Sequence, residues 1–182
     1  FLKDGIRGLK KRWERYLTPE ARYERWLSGH KNYKQKKLTQ NPSVSIIVPA
    51  YRTPIIYLKQ MIESVREQSY QNWELCIADG SENGELRPVL EEMQKKDRRI
   101  RFVELPENKG ISGNTNEALD MAVGEIFVLL DHDDILARTA LWEVVKAFED
   151  GADIVYTDED KVSMDLTRHF EPHFKPDFNL DL

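Results

Sequence analysis

At 182 residues, with 40% hydrophobic and 32% charged residues, the chain has the composition of one soluble globular domain, or of a domain with an appendage. The net charge of −5 is unevenly spread: residues 1–40 hold 12 Lys/Arg and 4 Asp/Glu, the remainder 15 and 28, and so acidic a main body argues against a nucleic-acid partner. The single cysteine, Cys76, excludes an intramolecular disulfide and a cysteine-based zinc site, and no run approaches the roughly 20 apolar residues of a membrane span.

Residues 1–40 read as a basic helical extension. Leu2, Ile6, Leu9, Trp13, Tyr16 and Leu17 recur at helical spacing. Thr18-Pro19-Glu20 then reads as an N-cap, a proline at the first helical position and an early acid, opening a second helix with Tyr23, Trp26 and Leu27 that stops near Ser28-Gly29. A basic helix of this kind suits contact with anionic lipid or a further domain, or packing on its own domain through Trp13, Tyr16 and Trp26. Lys31 to Lys37 is a charged connector, and Thr39 to Ser43 a linker into a second region spanning residues 41–182.

There the pattern alternates. Val44–Val48 is a buried strand, and Pro54 opens a helix with Ile55, Leu58, Met61, Ile62 and Val65 on one face. Trp73–Asp79 is a second strand, followed by a helix over Glu85–Lys96. A third strand covers Ile100–Leu105 and a helix Ser112–Ala122. Glu125–Leu130 is a fourth strand, a continuous apolar run expected to be buried on both faces. A helix over Thr139–Asp150 and a fifth strand over Asp153–Thr157 complete the alternation, and Val162–Phe174 reads as an edge hairpin. The expected fold is α/β, a mostly parallel Rossmann-like sheet with helices on both faces. Cys76, inside the second strand, is expected to be a buried, inert thiol. The opening FLKDGIRGLKKRW turns charged at once, unlike a signal peptide, and a cytoplasmic location fits the lone thiol. The chain starts on Phe1 rather than Met and stops at Leu182 without a terminal cap, so it is expected to be a piece of a longer protein.

Polar clusters follow the expected strands: Pro49-Ala50-Tyr51 after the first, Asp79-Gly80-Ser81 after the second, Asp131-His132-Asp133-Asp134 after the fourth and Asp158-Glu159-Asp160 after the fifth. In a parallel sheet these ends line one edge, where ligands bind. Asp131 and Asp133 are candidate ligands for Mg²⁺ or Mn²⁺, hard cations that take one or two carboxylates plus substrate phosphates. The competing reading is a helix cap, a role open to Asp134. Asn108–Asn116, NKGISGNTN, supplies small residues and a helix start that would admit a phosphate, or forms an ordinary loop. His30, His132, His169 and His173 form no metal-ligand spacing, and only His132 lies in a candidate site.

The blocks VSIIVPAY, ESVREQSYQNWELCIADGS and RIRFVELPENKGISGNTNEALDMAVGEIFVLLDHDD resemble a family 2 glycosyltransferase of GT-A fold over about Ser43 to Asp160, and YTDEDK with HFEPHFKPDFNLDL resembles the bacterial branch that builds cell-surface polysaccharides, rhamnosyltransferases included. The resemblance implies a domain over residues 41–182 that binds a nucleotide sugar, such as a UDP- or dTDP-sugar. It implies inverting, metal-assisted transfer to a glycan or lipid-linked glycan acceptor. It places the protein in the cytoplasm, or peripherally at the inner face of the plasma membrane. Pro49, Ala50 and Tyr51 would line the nucleoside pocket. Asp79 would bind base or ribose, and Gly113, Asn114 and His132 would lie beside the nucleotide. Asp131 and Asp133 would hold Mn²⁺ or Mg²⁺, with Asp131 also near the ribose. Two positions depart from the family pattern: Arg52 stands where many members have Asn, and Thr115 where a basic residue is common. The general base is expected beyond Leu182, with Asp158, Glu159 and Asp160 as weaker candidates. Two rival readings are a nucleotidyltransferase-like enzyme, against which PAYRTP lacks the Gly-rich basic loop, and a non-catalytic nucleotide-binding or scaffold module.

Overall fold

The computed structural model describes residues 18–30 and 35–177. The expected helix over residues 2–17, residues 31–34 of the connector and residues 178–182 lie outside these. The chain divides into two compact units, Leu38–Val155 on the one hand and Phe1–Lys37 with Tyr156–Leu182 on the other.

In the larger unit, β1 (Val44–Ala50), β2 (Trp73–Asp79), β3 (Ile100–Glu104) and β4 (Ile126–Leu129) form one parallel sheet in the order β3-β2-β1-β4. Alternation along each strand sorts its side chains between two faces. One face carries Val44, Ile46, Val48, Leu75, Ile77, Ile100 and Ile126. Against it pack three helices: α2 (Ile55–Arg66), α3 (Arg87–Lys96) and α5 (Ala140–Glu149). Each does so through residues at i, i+3, i+4 spacing, as with Leu58, Met61, Ile62 and Val65 of α2. Pro54, at φ −56°, opens α2 as its ring geometry favours. The opposite face carries Ile47, Cys76 and Ala78 beneath α4 (Gly110–Asp120), which contributes Ala118. Burial there pushes the Cys76 thiol up to about 11, so it stays protonated and inert at neutral pH.

Three expectations need correction. β4 is not buried on both faces: Phe127 is 53% and Leu129 73% exposed. β4 ends the strand order, and its side chains on the α4 face lie past the stretch of β1 and β2 that α4 covers. Residues 153–157 form no strand, and Ile154 is largely exposed. The pairing falls later: β5 (Glu159–Val162) runs antiparallel to β6 (His169–His173) as a two-stranded sheet of its own, so the hairpin expected over Val162–Phe174 begins three residues earlier. Asp158, Glu159 and Asp160 therefore enter an antiparallel hairpin in the smaller unit, instead of closing a parallel strand. Finally, α4 starts at Gly110, two residues earlier than the pattern indicated.

At the amino edge of the sheet the half-buried Glu74 carboxylate accepts bonds from the Ser45 hydroxyl at 2.6 Å, the Val123 amide at 2.6 Å and Arg101 at 3.0 Å. Burial alone would raise its pKa, but the three donors outweigh that and hold it below the ordinary value. The knot ties β1, β2, β3 and the turn before β4 together at the end opposite the polar clusters.

In the smaller unit the expected cap is present: the Ala21 amide donates to Thr18 Oγ1 at 3.3 Å at the start of α1 (Pro19–His30). Helix and hairpin meet through aromatic rings. Tyr23 and Trp26 stack at 5.8 Å, and both meet Phe174 edge-on. The Tyr23 hydroxyl donates to Asp160 Oδ2 at 2.5 Å, and His169 Nδ1 lies 2.9 Å from the same oxygen. Burial first, then the Asp160 carboxylate, raises the Tyr23 phenol well above its ordinary pKa.

Candidate functional site

The strand order sets the place of the site. The chain runs outward from β1 through β2 to β3, then returns to the other side of β1 as β4. Between β1 and β4 the connections diverge, which leaves a crevice outside the carboxyl ends of those two strands. Ile47 of β1 pairs with Leu129 of β4, and the Leu130 amide donates to the Ile47 carbonyl at 3.1 Å. Two residues further on each strand come Pro49 and Asp131. The β1 end and the acidic loop therefore flank the crevice.

On the β1 side, Ala50 is buried and Tyr51 is partly exposed. Arg52 adopts a left-handed φ of +49°, which turns the chain sharply and sets its guanidinium 5.0 Å over the Tyr51 ring. The Arg52 amide donates to Ser81 Oγ at 2.8 Å, so the β1 and β2 ends are stitched together. Thr53 follows, buried, with no hydrogen-bond partner for its hydroxyl among the described residues. Asp79, at 2% exposure, closes β2 and accepts the Ser81 amide through Oδ1 at 2.9 Å. This is an Asx turn, made by the aspartate's own geometry. Two glycines follow β3 with different tasks: Gly110 takes a left-handed φ of +72° in open space, while a Cβ at Gly113 would collide with Lys109 Cβ, so the lysine stem lies flat on the first turn of α4.

The acidic loop is a turn, with the Asp134 amide donating to the Asp131 carbonyl at 3.3 Å. It caps no helix. α5 begins only at Ala140, with Thr139 at its N-cap. Asp131 and Asp133 are exposed, and among the described residues neither accepts a hydrogen bond or pairs with a lysine or arginine. His132 points inward: its Nδ1 is buried without a hydrogen-bond partner and lies 3.8 Å from Asp133 Oδ1.

Two carboxylates without a lysine or arginine partner among the described residues, hard oxygen donors on one short turn, fit Mg²⁺ or Mn²⁺. Among the described residues no three His, Cys, Asp or Glu side chains gather to hold a metal ion by themselves. A cation at the pair would take its remaining ligands from water or substrate, as Mg²⁺ does beside phosphates.

The structure thus brings Pro49, Ala50, Tyr51, Asp79, Gly113, Asn114, Asp131, His132 and Asp133 to the carboxyl edge of one sheet. Asp158, Glu159 and Asp160 belong to the smaller unit, where each carboxylate serves the hairpin: Asp158 accepts the Lys175 amide at 2.7 Å, Glu159 meets His173 and Lys175, and Asp160 meets Tyr23 and His169. Sequence reasoning missed Glu82, and it placed Ser81 and Asn108 in candidate clusters without their task, which is to tie the edge loops together through their side chains. The only sequence signal for them is their polar character beside glycines at strand ends.

The sequence profile of glycosyl transferase family 2 matches residues 45–179. An uncharacterized protein of Sinorhizobium fredii, y4gI, is 41% identical over 176 residues, 92% of this chain and 19% of its own length. The GalNAc(5)-diNAcBac-PP-undecaprenol beta-1,3-glucosyltransferase of Campylobacter jejuni is 32% identical over 60% of this chain and 36% of its own. Among solved structures, the mannosyltransferase PcManGT of Pyrobaculum calidifontis, in complex with GDP-Man and Mn²⁺, superposes with a TM-score of 0.53 at 28% identity, over 69% of this chain and 37% of that one. The chain spans a fifth to about two fifths of the length of each of these proteins.

Proposed function

The chain belongs to glycosyl transferase family 2, and from that membership we propose that residues 38–155 bind the nucleotide-sugar donor of an inverting, metal-assisted transfer that extends a cell-surface glycan. The observation that carries the reading is the pair Asp131 and Asp133, with no lysine or arginine partner among the described residues, on the turn that follows a sheet strand at the switch point. Asp131 and Asp133 would hold Mn²⁺ or Mg²⁺, which when bound neutralises the charge growing on the departing nucleoside diphosphate. PcManGT, with GDP-Man and Mn²⁺ bound, supports the pairing of nucleotide sugar and cation on this fold.

The protein's own groups do the binding. The Tyr51 ring offers an apolar face to the nucleoside. Asp79 spends one carboxylate oxygen on the Ser81 amide and keeps the other for base or ribose. Pro49 and Ala50 form the wall of the pocket, and Gly113 and His132 its flanks. In the transfer, an acceptor hydroxyl oxygen bonds to the anomeric carbon from the side opposite the diphosphate, whose bond to that carbon breaks, and the hydroxyl proton passes to a general base. Attack from the far side inverts the configuration. The acceptor class, a glycan or lipid-linked glycan at the inner face of the plasma membrane, rests on likeness to relatives such as the Campylobacter jejuni enzyme.

Calorimetric titration of the chain with UDP, GDP and dTDP tests this. At least one nucleotide is expected to bind with Mn²⁺ present and to lose at least about tenfold in affinity in EDTA, about 1.4 kcal/mol. Silence from all three in both conditions would overturn the reading.

A further inference from the structure

We infer that Asn114 is a positioning residue that fixes the Asp79-Gly80-Ser81 turn through contact with Gly80, without touching the nucleotide. The inference rests on the proposal that this edge of the sheet binds a nucleotide, and it gives Asn114 a different task from the contact that the family resemblance implies.

Asn114 is the fifth residue of α4, at the start of its second turn, with only 2% of its surface exposed. Its amide is spent inside the protein. Oδ1 accepts the Lys109 amide at 3.1 Å, and Nδ2 donates to Asn108 Oδ1 at 3.0 Å. That Asn108 oxygen also accepts the Gly110 amide at 3.0 Å. Backbone N–H groups only donate, so both amides are fixed in orientation: each atom facing a backbone nitrogen must be oxygen. Asn114 Nδ2 is then the second donor on the Asn108 oxygen, beside the Gly110 amide. The Asn108 backbone N–H in turn donates to Glu82 Oε1 at 2.8 Å, which joins the loop before α4 to the loop after β2.

The amide lies directly against Gly80. A Cβ built there would fall 2.6 Å from Asn114 Nδ2 and 3.2 Å from Asn108 Oδ1, so only glycine fits while Asn114 holds this place. Gly80 is the centre of the turn that aims Asp79. Its amide donates to the Ala50 carbonyl at 2.9 Å, and the residues on either side close the Asx bond from the Ser81 amide to Asp79. Ser81 then holds the Arg52 amide. Asn114 thus backs the turn whose front face carries the carboxylate proposed to bind the nucleoside. Moving the amide would free Gly80, and with it the aim of Asp79 and the loop of Tyr51.

The test is nucleotide affinity, read with Mn²⁺ and whichever of UDP, GDP and dTDP binds the wild-type chain, at a temperature where circular dichroism shows each variant folded. Asn114→Ala is expected to weaken binding about 5- to 10-fold, the scale of one or two lost polar contacts. Asn114→Asp keeps the size but sets a carboxylate oxygen against Asn108 Oδ1, and is expected to lose as much. Gly80→Ala is expected to weaken binding similarly by itself. In the double variant Gly80→Ala/Asn114→Ala the new methyl enters the space the amide leaves, so the loss is expected to be no larger than that of the worse single variant. Asn108→Ala, at an exposed position, removes the acceptor of the same bond and is expected to cost about threefold, which keeps the question open to measurement should the buried variants not fold. Wild-type affinity in the Asn114 and Asn108 variants would overturn the inference, whether or not their melting points fall. So would a double-variant loss equal to the product of the single losses. If the wild type binds and Asp131→Ala abolishes binding while the Asn114 variants bind normally, only this inference fails. If the wild type binds no nucleotide, the reading of the site fails and this inference falls with it.

Discussion

Asp131→Ala and Asp133→Ala are each expected to weaken Mn²⁺-dependent nucleotide binding by about 100-fold or more, and to leave the unfolding midpoint within about 0.5 kcal/mol of wild type. Both halves follow from the same surroundings. Neither carboxylate accepts a hydrogen bond or meets a lysine or arginine among the described residues. Its removal takes nothing from the fold, and it relieves repulsion between acids that stand two residues apart. A cation held as proposed would, by contrast, lose one of its two proposed carboxylate ligands and the charge that balances it. Substitution of Asp by Asn tests charge against shape: Asp131→Asn is expected to fall close to Asp131→Ala, because a neutral amide oxygen is a far poorer donor to Mg²⁺ or Mn²⁺. Nucleotide affinity measured in EDTA should be nearly the same for the variants and the wild type. A stability loss of several kcal/mol without a change in binding would mark these residues as structural.

Gln68→Leu is expected to destabilise the larger unit by about 3 kcal/mol, read as a lower urea midpoint at unchanged slope. Gln68 is 1% exposed, so its amide has no access to water. Nε2 donates to the Ser64 carbonyl at 3.0 Å and to the Ala137 carbonyl at 2.8 Å, while Oε1 accepts the Leu141 amide at 3.0 Å. That last bond matters most. Leu141 lies in the first turn of α5, where amides have no intrahelical acceptor, and the N-cap residue Thr139 makes no side-chain bond to them. Gln68 supplies the cap from another helix. Leucine fills the space but leaves a buried N–H and a buried carbonyl unpaired, each with its desolvation cost. The same end of α2 also receives the Leu136 amide on Ser64 Oγ at 3.1 Å and gives the Ser69 amide to the Arg138 carbonyl at 2.8 Å. These bonds anchor the segment that leaves the acidic loop. A Gln68→Leu protein that remains folded should therefore bind nucleotide and Mn²⁺ more weakly than wild type.

The parallel sheet was legible because its strands are short apolar runs separated by amphipathic helices. Burial drives both patterns, so Ile46, Leu75 and Ile100 lie in the core that their hydrophobicity implies. The fifth strand was misplaced for a reason of the same kind. Asp153–Thr157 is rich in β-branched and aromatic residues, but strand preference is realised only against a neighbour, and among the described residues none pairs with it. The apolar run of β4 likewise overstated its burial, because residue type cannot tell a central strand from one at the end of the order. At the site, Asp131 and Asp133 could be picked out as candidates because two acids directly follow an apolar strand run, at the edge of a parallel sheet where ligands bind. The cap supplied by Gln68 and the clamp formed by Asn108 and Asn114 could not be. Both depend on bonds between residues brought together by the fold: Gln68 and Leu141 are 73 positions apart. Single amides in a helix or loop leave no periodic trace.

The most direct measurement is anomalous diffraction at the manganese edge from crystals grown with Mn²⁺ and the nucleotide that binds in solution. The expected result is one strong peak within coordination distance of the Asp131 and Asp133 carboxylates and of the diphosphate oxygens, with the nucleoside lying between Tyr51 and Asp79. A peak remote from that turn, or a nucleotide seated away from the carboxyl edge between β1 and β4, would contradict the assignment.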